Sequence, residues 1–228
     1  DLKTLLFAPN EEKLFIWNIT QSIKRDTTVM DKQISYPWRE ENGGAPYYLM
    51  FLKDENTLIT ELQSFPLNDK EATLPAYQKR TLDTNKLLKS FSSYKKSIRN
   101  DEASILPESF FYSNDAIKPD GTKVVQAMVH LAQLNILDLE TGHVSGYRLE
   151  GEPDFSVFKS DEKIKSYFTR VQADDNYIYA VYWGKERWER FETPHMNIIH
   201  VYDWDGNLVQ KIETDYSIGQ MWIDPIRN

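Results

Sequence analysis

The feature that most constrains this chain is a repeated cadence of short β-rich runs joined by tight acidic turns, clearest between Tyr177 and Glu213. There, Tyr177 to Trp183, a charged loop, Met196 to Tyr202, the turn Asp203-Trp-Asp-Gly206 and Asn207 to Glu213 follow one another. The runs are rich in β-branched and aromatic residues, which suit a pleated, half-buried surface. Asp205-Gly206 is a strong hairpin signal because Gly accepts the positive φ that such turns require.

The same order recurs upstream. Thr4 to Ala8, a turn at Pro9 to Glu12 and Lys13 to Ile19 read as the first two strands of a unit, with weaker strands near Thr27 to Met30 and Lys32 to Tyr36. The Pro- and Gly-rich stretch from Pro37 to Pro46 reads as a loop between units. A second unit runs from Tyr47 to Phe91 with turns at Lys53 to Asn56 and Asp83 to Asn85, and a third from Phe110 to Leu149 with turns at Pro119 to Gly121 and Glu140 to Gly142. In the third, Pro presets φ and Gly takes the left-handed position. The fourth runs from Tyr167 to Glu213, and Ile218 to Asp224 opens a fifth. Leu87, Phe91, Tyr94 and Ile98 also have helix-like spacing, so a short helix competes with a strand there.

Four-strand units in tandem predict an all-β fold, a β-propeller of four-stranded antiparallel blades, as one domain over residues 1–228 with no helix longer than two or three turns. Aligning Asn85, Gly142 and Gly206 gives a repeat of about 60 residues against roughly 40 to 50 for common blades, which places the excess in loops. Connections between strands one and two, and three and four, are short, whereas those between strands two and three, and between units, are long. One end of each blade is therefore plain and the other elaborated.

Composition closes off several functions. The net charge of −8 opposes the phosphate attraction on which nucleic-acid binders rely, so no nucleic-acid partner is expected. With no cysteine there is no disulfide, cysteine-ligated zinc or thiol nucleophile, while the compartment stays open. No apolar run approaches the ~20 residues of a membrane span, and Asp1-Leu-Lys-Thr lacks the features of a signal peptide, so any export signal was removed or never existed. His130, His143, His195 and His200 are not spaced as a ligand set, and the acidic turns lack the remaining oxygen ligands of a calcium loop, so neither metal nor cofactor is expected.

No nucleophile elbow, Walker loop, dinucleotide fingerprint or zinc-protease helix occurs, and no catalytic residue is assigned. With 35 acidic residues some carboxylate pair is close by chance, which keeps a glycan-active hydrolase or lyase as the alternative function. Asn18-Ile-Thr20 fits a glycosylation acceptor only if exposed. Trp17 and Trp222 lie inside strand patterns and read as core.

The more specific signal is aromatic residues mixed with charge in the long connections. Trp38, Arg39, Trp183, Lys185, Arg187 and Trp188 are the candidate ligand-binding residues, offering flat apolar area and hydrogen-bond donors to a protein, peptide or carbohydrate. The competing reading is that the aromatics cap the blade ends.

Pro119-Asp-Gly-Thr-Lys followed by Val124-Val-Gln-Ala-Met, Asn135-Ile-Leu-Asp-Leu-Glu-Thr-Gly142 and Val201-Tyr-Asp-Trp-Asp-Gly-Asn-Leu-Val209 resemble the TolB-like six-bladed propeller family of Bacteroidetes. The resemblance covers most of the chain and implies an exported lipoprotein, in the periplasm or at the surface of a Gram-negative cell, generally without an assigned activity. The chain departs from it in having about four blades and a started fifth, and no lipid-acceptor cysteine. It is therefore expected to be truncated at one or both ends, with any lipid anchor outside this sequence. The function expected is a non-enzymatic binding module of the cell envelope.

Overall fold

The computed structural model describes residues 2–37, 47–62, 76–92, 112–154, 164–186 and 198–223. The chain divides into two compact units, Asp1–Phe65 with Thr73–Ser92 and Pro66–Ala72 with Ser93–Asn228.

In the first unit, β1 (Lys3–Ala8), β2 (Lys13–Asn18) and β3 (Met30–Ser35) form a three-stranded antiparallel sheet. A 3-10 turn at Pro9–Glu11 joins β1 to β2, and α1 (Ile19–Arg25) joins β2 to β3. β4 (Tyr47–Leu52), β5 (Thr57–Leu62), β6 (Ala76–Thr81) and β7 (Leu87–Ser92) form a four-stranded meander. Leu14, Ile16, Ile34 and Tyr36 pack with Leu58 and Leu82 to form this unit's core.

The second unit holds two more four-stranded meanders. One is β8 (Ser113–Ile117), β9 (Lys123–Met128), β10 (Gln133–Asp138) and β11 (Val144–Arg148). The other is β12 (Lys165–Ala173), β13 (Tyr177–Glu186), β14 (Ile198–Asp203) and β15 (Leu208–Glu213). Alternation does the packing: Val125 and Ala127 on β9 and Leu134 and Ile136 on β10 share a core with Phe168, Val171, Ile178, Ala180 and Tyr202. The fold is the expected all-β propeller of antiparallel blades.

The turns are built alike. Asp54 Oδ1 accepts from the Asn56 amide, Asp120 Oδ1 from Thr122 and Asp174 Oδ1 from Asn176 and Tyr177. Asp138 Oδ1 accepts from the amides of Glu140 and Thr141, and Asp203 Oδ1 from Asp205 and Asn207. A short carboxylate that bonds the backbone two residues on is a built-in turn former, which is why the acidic turns were legible.

The first sheet is offset by one strand from the sequence reading: Lys3 and Asp31, at the end where β2 connects to β3, line one cleft with Lys53, Asp54 and Glu55 of the β4–β5 turn, and a second-to-third connection would lie at the opposite end of its sheet. The backbone hydrogen bonds accord with it. The last residue of the third strand in each complete sheet donates across the following turn: Thr81 to Lys86, Asp138 to His143 and Asp203 to Asn207. In the first sheet that role falls to Asn18, at the end of β2, which donates to Val29. The next residue then donates to the one just before the second strand, as Leu82 does to Asn56 and Leu139 to Thr122, and here Ile19 does to Leu2. Tyr36, following β3, donates to Glu12 just before β2, as Leu149 following β11 does to Ala132 just before β10. So β1, β2 and β3 occupy the second, third and fourth positions of a blade, and Pro9 to Glu12 is a second-to-third connection. The first position of this blade has no strand among the described residues.

Other expectations need correction. The two weak strands after Thr20 are one strand, β3, preceded by α1. α1 buries no residue and is held by its ends: Asn18 Oδ1 caps Gln21, and Ser22 Oγ takes the Trp17 indole N–H at 2.9 Å and donates to the Asn18 carbonyl at 2.7 Å. Residues 87–92 are strand, paired with β6 from Leu87 opposite Arg80 to Ser92 opposite Ala76, while Tyr94 and Ile98 lie outside the described residues. Trp17 is half-buried rather than core. Residues 214–223 join no sheet, and Trp222 is 82% exposed.

Candidate functional site

A concavity opens in the first unit beside the start of β1 and the end of β4. With β1 in a second position, its start meets the end of β4, so the α1 end of the first sheet and the β4–β5 turn enclose a cleft of about 690 Å³. That size is typical of a small-ligand site. Leu2, Ile16, Leu52 and Leu82 give it an aliphatic lining, and Lys3, Asp31, Lys32, Lys53, Asp54 and Glu55 supply charge of both signs.

One ion pair in the cleft is positioned by the fold. Lys3 Nζ lies 2.8 Å from Asp31 Oδ2, with the two side chains 35% and 27% exposed. The Asn18 amide donates to both Asp31 oxygens at 3.2 Å, while its own carbonyl oxygen is occupied at the N-terminus of α1. The hydrogen bond from Lys3, then that from Asn18, hold the Asp31 carboxyl below its ordinary value, and Asp31 in turn raises the Lys3 ammonium. Asp31 is thus an ionised acceptor at neutral pH, unsuited to donating a proton. Asn18 is 4% exposed and engaged on both amide atoms, which removes it as a glycosylation acceptor.

A second polar constellation lies in the second unit. The Tyr167 hydroxyl donates to Glu152 Oε2 at 2.9 Å, the Tyr182 hydroxyl donates to Oε1 at 3.5 Å, and Lys165 Nζ stands 4.0 Å from Oε2. Burial and the Glu152 carboxylate push both phenols up. Tyr182 stacks on His200 with centroids 4.4 Å apart. Nothing in the spacing of these residues announces the group. No cluster of three or more His, Asp or Glu able to hold a metal occurs among the described residues.

Of the six residues nominated from sequence, Trp183 and Lys185 fall within the described residues; Trp38, Arg39, Arg187 and Trp188 lie outside them. Trp183 and Lys185 are not in a loop: β13 continues through Glu186, pairing Lys185 with Ser166. Trp183 is 7% exposed, and Lys185 Nζ lies 5.2 Å from its ring centroid, a cation–π contact over a largely covered face. The Lys3–Asp31–Asn18 group was missed because its members lie on three strands, and it stands at the end that the turn lengths marked as plain.

The succession of four-stranded sheets has a counterpart among known proteins. A family model described as TolB-like 6-blade propeller-like matches residues 49–225. The chain belongs to that family. Among solved structures, a member of the DUF4221 family from Bacteroides vulgatus is similar to this TolB-like chain at 12% identity, covering 92% of it and 64% of the other chain with a TM-score of 0.54. That likeness shows the fold. A functionally unknown protein from Desulfotomaculum acetoxidans (10% identity, 94% and 53% covered, TM-score 0.45) and a protein from Lactobacillus plantarum (15% identity, 90% and 52% covered, TM-score 0.41) are more distant. The TolB-like chain spans about half the length of most of these structures. No curated protein matches it. No helix among the described residues is long and apolar enough to cross a membrane.

Proposed function

We propose that this TolB-like propeller is a non-enzymatic binding module of the bacterial cell envelope, and that the cleft between α1 and the β4–β5 turn takes a short zwitterionic peptide. The observation that carries this is the Lys3–Asp31 pair, held by Asn18 beside an aliphatic lining. A peptide brings a cation for the acidic side, a carboxylate for the lysines and apolar side chains for Leu2, Ile16 and Leu52. The placement in the envelope is supported by the family resemblance.

Calorimetric titration with a panel of tripeptides, neutral sugars serving as controls, tests the reading. Asp31→Asn is expected to weaken peptide binding by about 1 kcal/mol or more, roughly fivefold, with little change in melting temperature because exposed ion pairs contribute little to stability. Tripeptides that do not bind, or a variant that binds them as well as the parent, would remove the proposal.

Of the candidate set Trp38, Arg39, Trp183, Lys185, Arg187 and Trp188, all but the buried Trp183 are proposed as the surface for a protein, peptide or carbohydrate partner. Lys185, an exposed cation held at the end of β13 over the Trp183 ring, supports it. Trp38→Ala and Trp188→Ala should each weaken capture of that partner by ~1 kcal/mol or more with little loss of stability. Lost thermal stability with full affinity would mark these residues as loop caps.

A further inference from the structure

We propose that Lys32 reads the free C-terminal carboxylate of the cleft's occupant, so that the site selects peptide acids over peptide amides; this deepens the peptide reading above and rests on it. The residue is placed by a β-bulge. Neighbours on a regular strand point to opposite faces, so Asp31 and Lys32 would not ordinarily share a cleft. The β2–β3 ladder pairs Trp17 with Met30 and then Ile16 with Lys32, which leaves Asp31 as the extra residue of a bulge. A bulge re-aims the side chains beside it, and both residues line the cleft.

The other sheets show that the fold supplies the bulge but not its charges. The β6–β7 and β14–β15 ladders shift register at the same place, beside the penultimate residue of the earlier strand, and their extra residues are Leu88 and Val209. Both are aliphatic, and they are 54% and 49% exposed. The first sheet departs from this pattern at two positions together. Thr81 and Asp203, the last residues of β6 and β14, accept turn amides through their side-chain oxygens. Asn18, the last residue of β2, accepts likewise from Gln21 and has an amide left to donate to Asp31. The carboxylate at the bulge thus comes with the residue that holds it.

Lys32 is the part of this arrangement that is still unspent. Its counterpart after the β7 bulge, Lys89, lies 4.8 Å from the centroid of the Phe91 ring, whereas the residue two beyond Lys32 is Ile34 and offers no ring. Among the described residues Lys32 has no ion pair, hydrogen bond or ring contact. Lys3, by contrast, stands 2.8 Å from Asp31, so a ligand carboxylate could take it only by breaking that pair. The Lys32 ammonium accepts an anion at no such cost, and Ile16, opposite it in the ladder, gives the last side chain of a peptide an aliphatic wall.

The test uses the full chain and the calorimetric panel of tripeptides, each as the free acid, the C-terminal amide and the N-acetylated acid. The parent should bind free acids about threefold to fivefold more tightly than amides, the upper range for an exposed charge pair, and added salt should shrink the difference. Lys32→Gln should abolish the preference by weakening the acids alone, while Lys32→Arg keeps it. N-acetylation should weaken binding to the parent and to Lys32→Gln alike, because it removes the charge that faces Asp31. A parent chain that binds acids and amides equally, or a Lys32→Gln chain that keeps the preference, overturns the proposal and leaves the peptide reading standing. Tripeptides that bind in none of the three forms overturn both.

Discussion

Phe168→Ala is expected to lower the stability of the second unit by about 3–5 kcal/mol, the range for removing a fully buried aromatic side chain. Phe168 is 0% exposed on β12, with Tyr182, His200 and Tyr202 arranged edge-on around its ring at centroid distances of 5.9, 6.4 and 6.4 Å. The loss exceeds simple transfer because these rings are themselves anchored. Tyr182 is hydrogen-bonded to Glu152 and His200 to Tyr202, so they cannot collapse into the space left behind. The backbone adds to the constraint: the Phe168 carbonyl accepts from the Asn114 side chain at 3.0 Å, tying β12 to β8, and the ladder shifts register on both sides of Phe168. A typical domain is stable by only ~5–15 kcal/mol, so the urea midpoint should fall steeply. Leu208→Ala, at a position already 39% exposed, is the comparison and should move it little. Equal effects of the two substitutions would mean that this cluster does not hold the unit together.

The contrast between what the sequence disclosed and what it concealed follows from the range of the interactions. Strand order and turn positions were legible because an Asp bonding the backbone two or three residues on is a local event, written in adjacent letters at Asp54, Asp120, Asp138 and Asp203. The offset of the first sheet was not, because Pro9 to Glu12 has the composition of any acidic hairpin turn. Only the cleft, which sets the β2–β3 end beside the β4–β5 turn, reveals which turn it is. α1 escaped because seven residues without a buried face carry no periodic signal; Ser22 and Asn18 hold it instead. Trp183 borders a charged connection and Trp222 sits in a strand-like run, yet Trp183 is the one covered and Trp222 the one left open, an outcome composition could not tell. The cleft is the extreme case, since Lys3 and Asp31 meet only once β1 and β3 are both paired to β2.

The same buried cluster makes the protein sensitive to mild acid. His200 is 2% exposed on β14, with Nδ1 3.1 Å from the Tyr202 hydroxyl and its ring stacked against Tyr182 at an interplanar angle of 11°. Burial, and then the charge of Lys211 paired across from it on β15, push the imidazole down from 6.5 to about 4. The folded state therefore holds His200 neutral in a range where the unfolded chain binds a proton. Stability from this group is complete above pH 6.5 and is lost progressively as the pH falls toward 4. A displacement of this size corresponds to a loss of up to about 3 kcal/mol, since one pH unit is worth ~1.4 kcal/mol. The carboxylates held low, Asp31, Asp138 and Asp203, act in the same direction but start lower, below their ordinary value of 3.8, so the two windows separate. Urea unfolding between pH 7 and pH 4 should show stability falling for the parent chain and a much flatter dependence for His200→Gln, whose amide fills a similar space without titrating. A variant that retains the parent's slope across that window would show that the proton taken up on unfolding goes elsewhere.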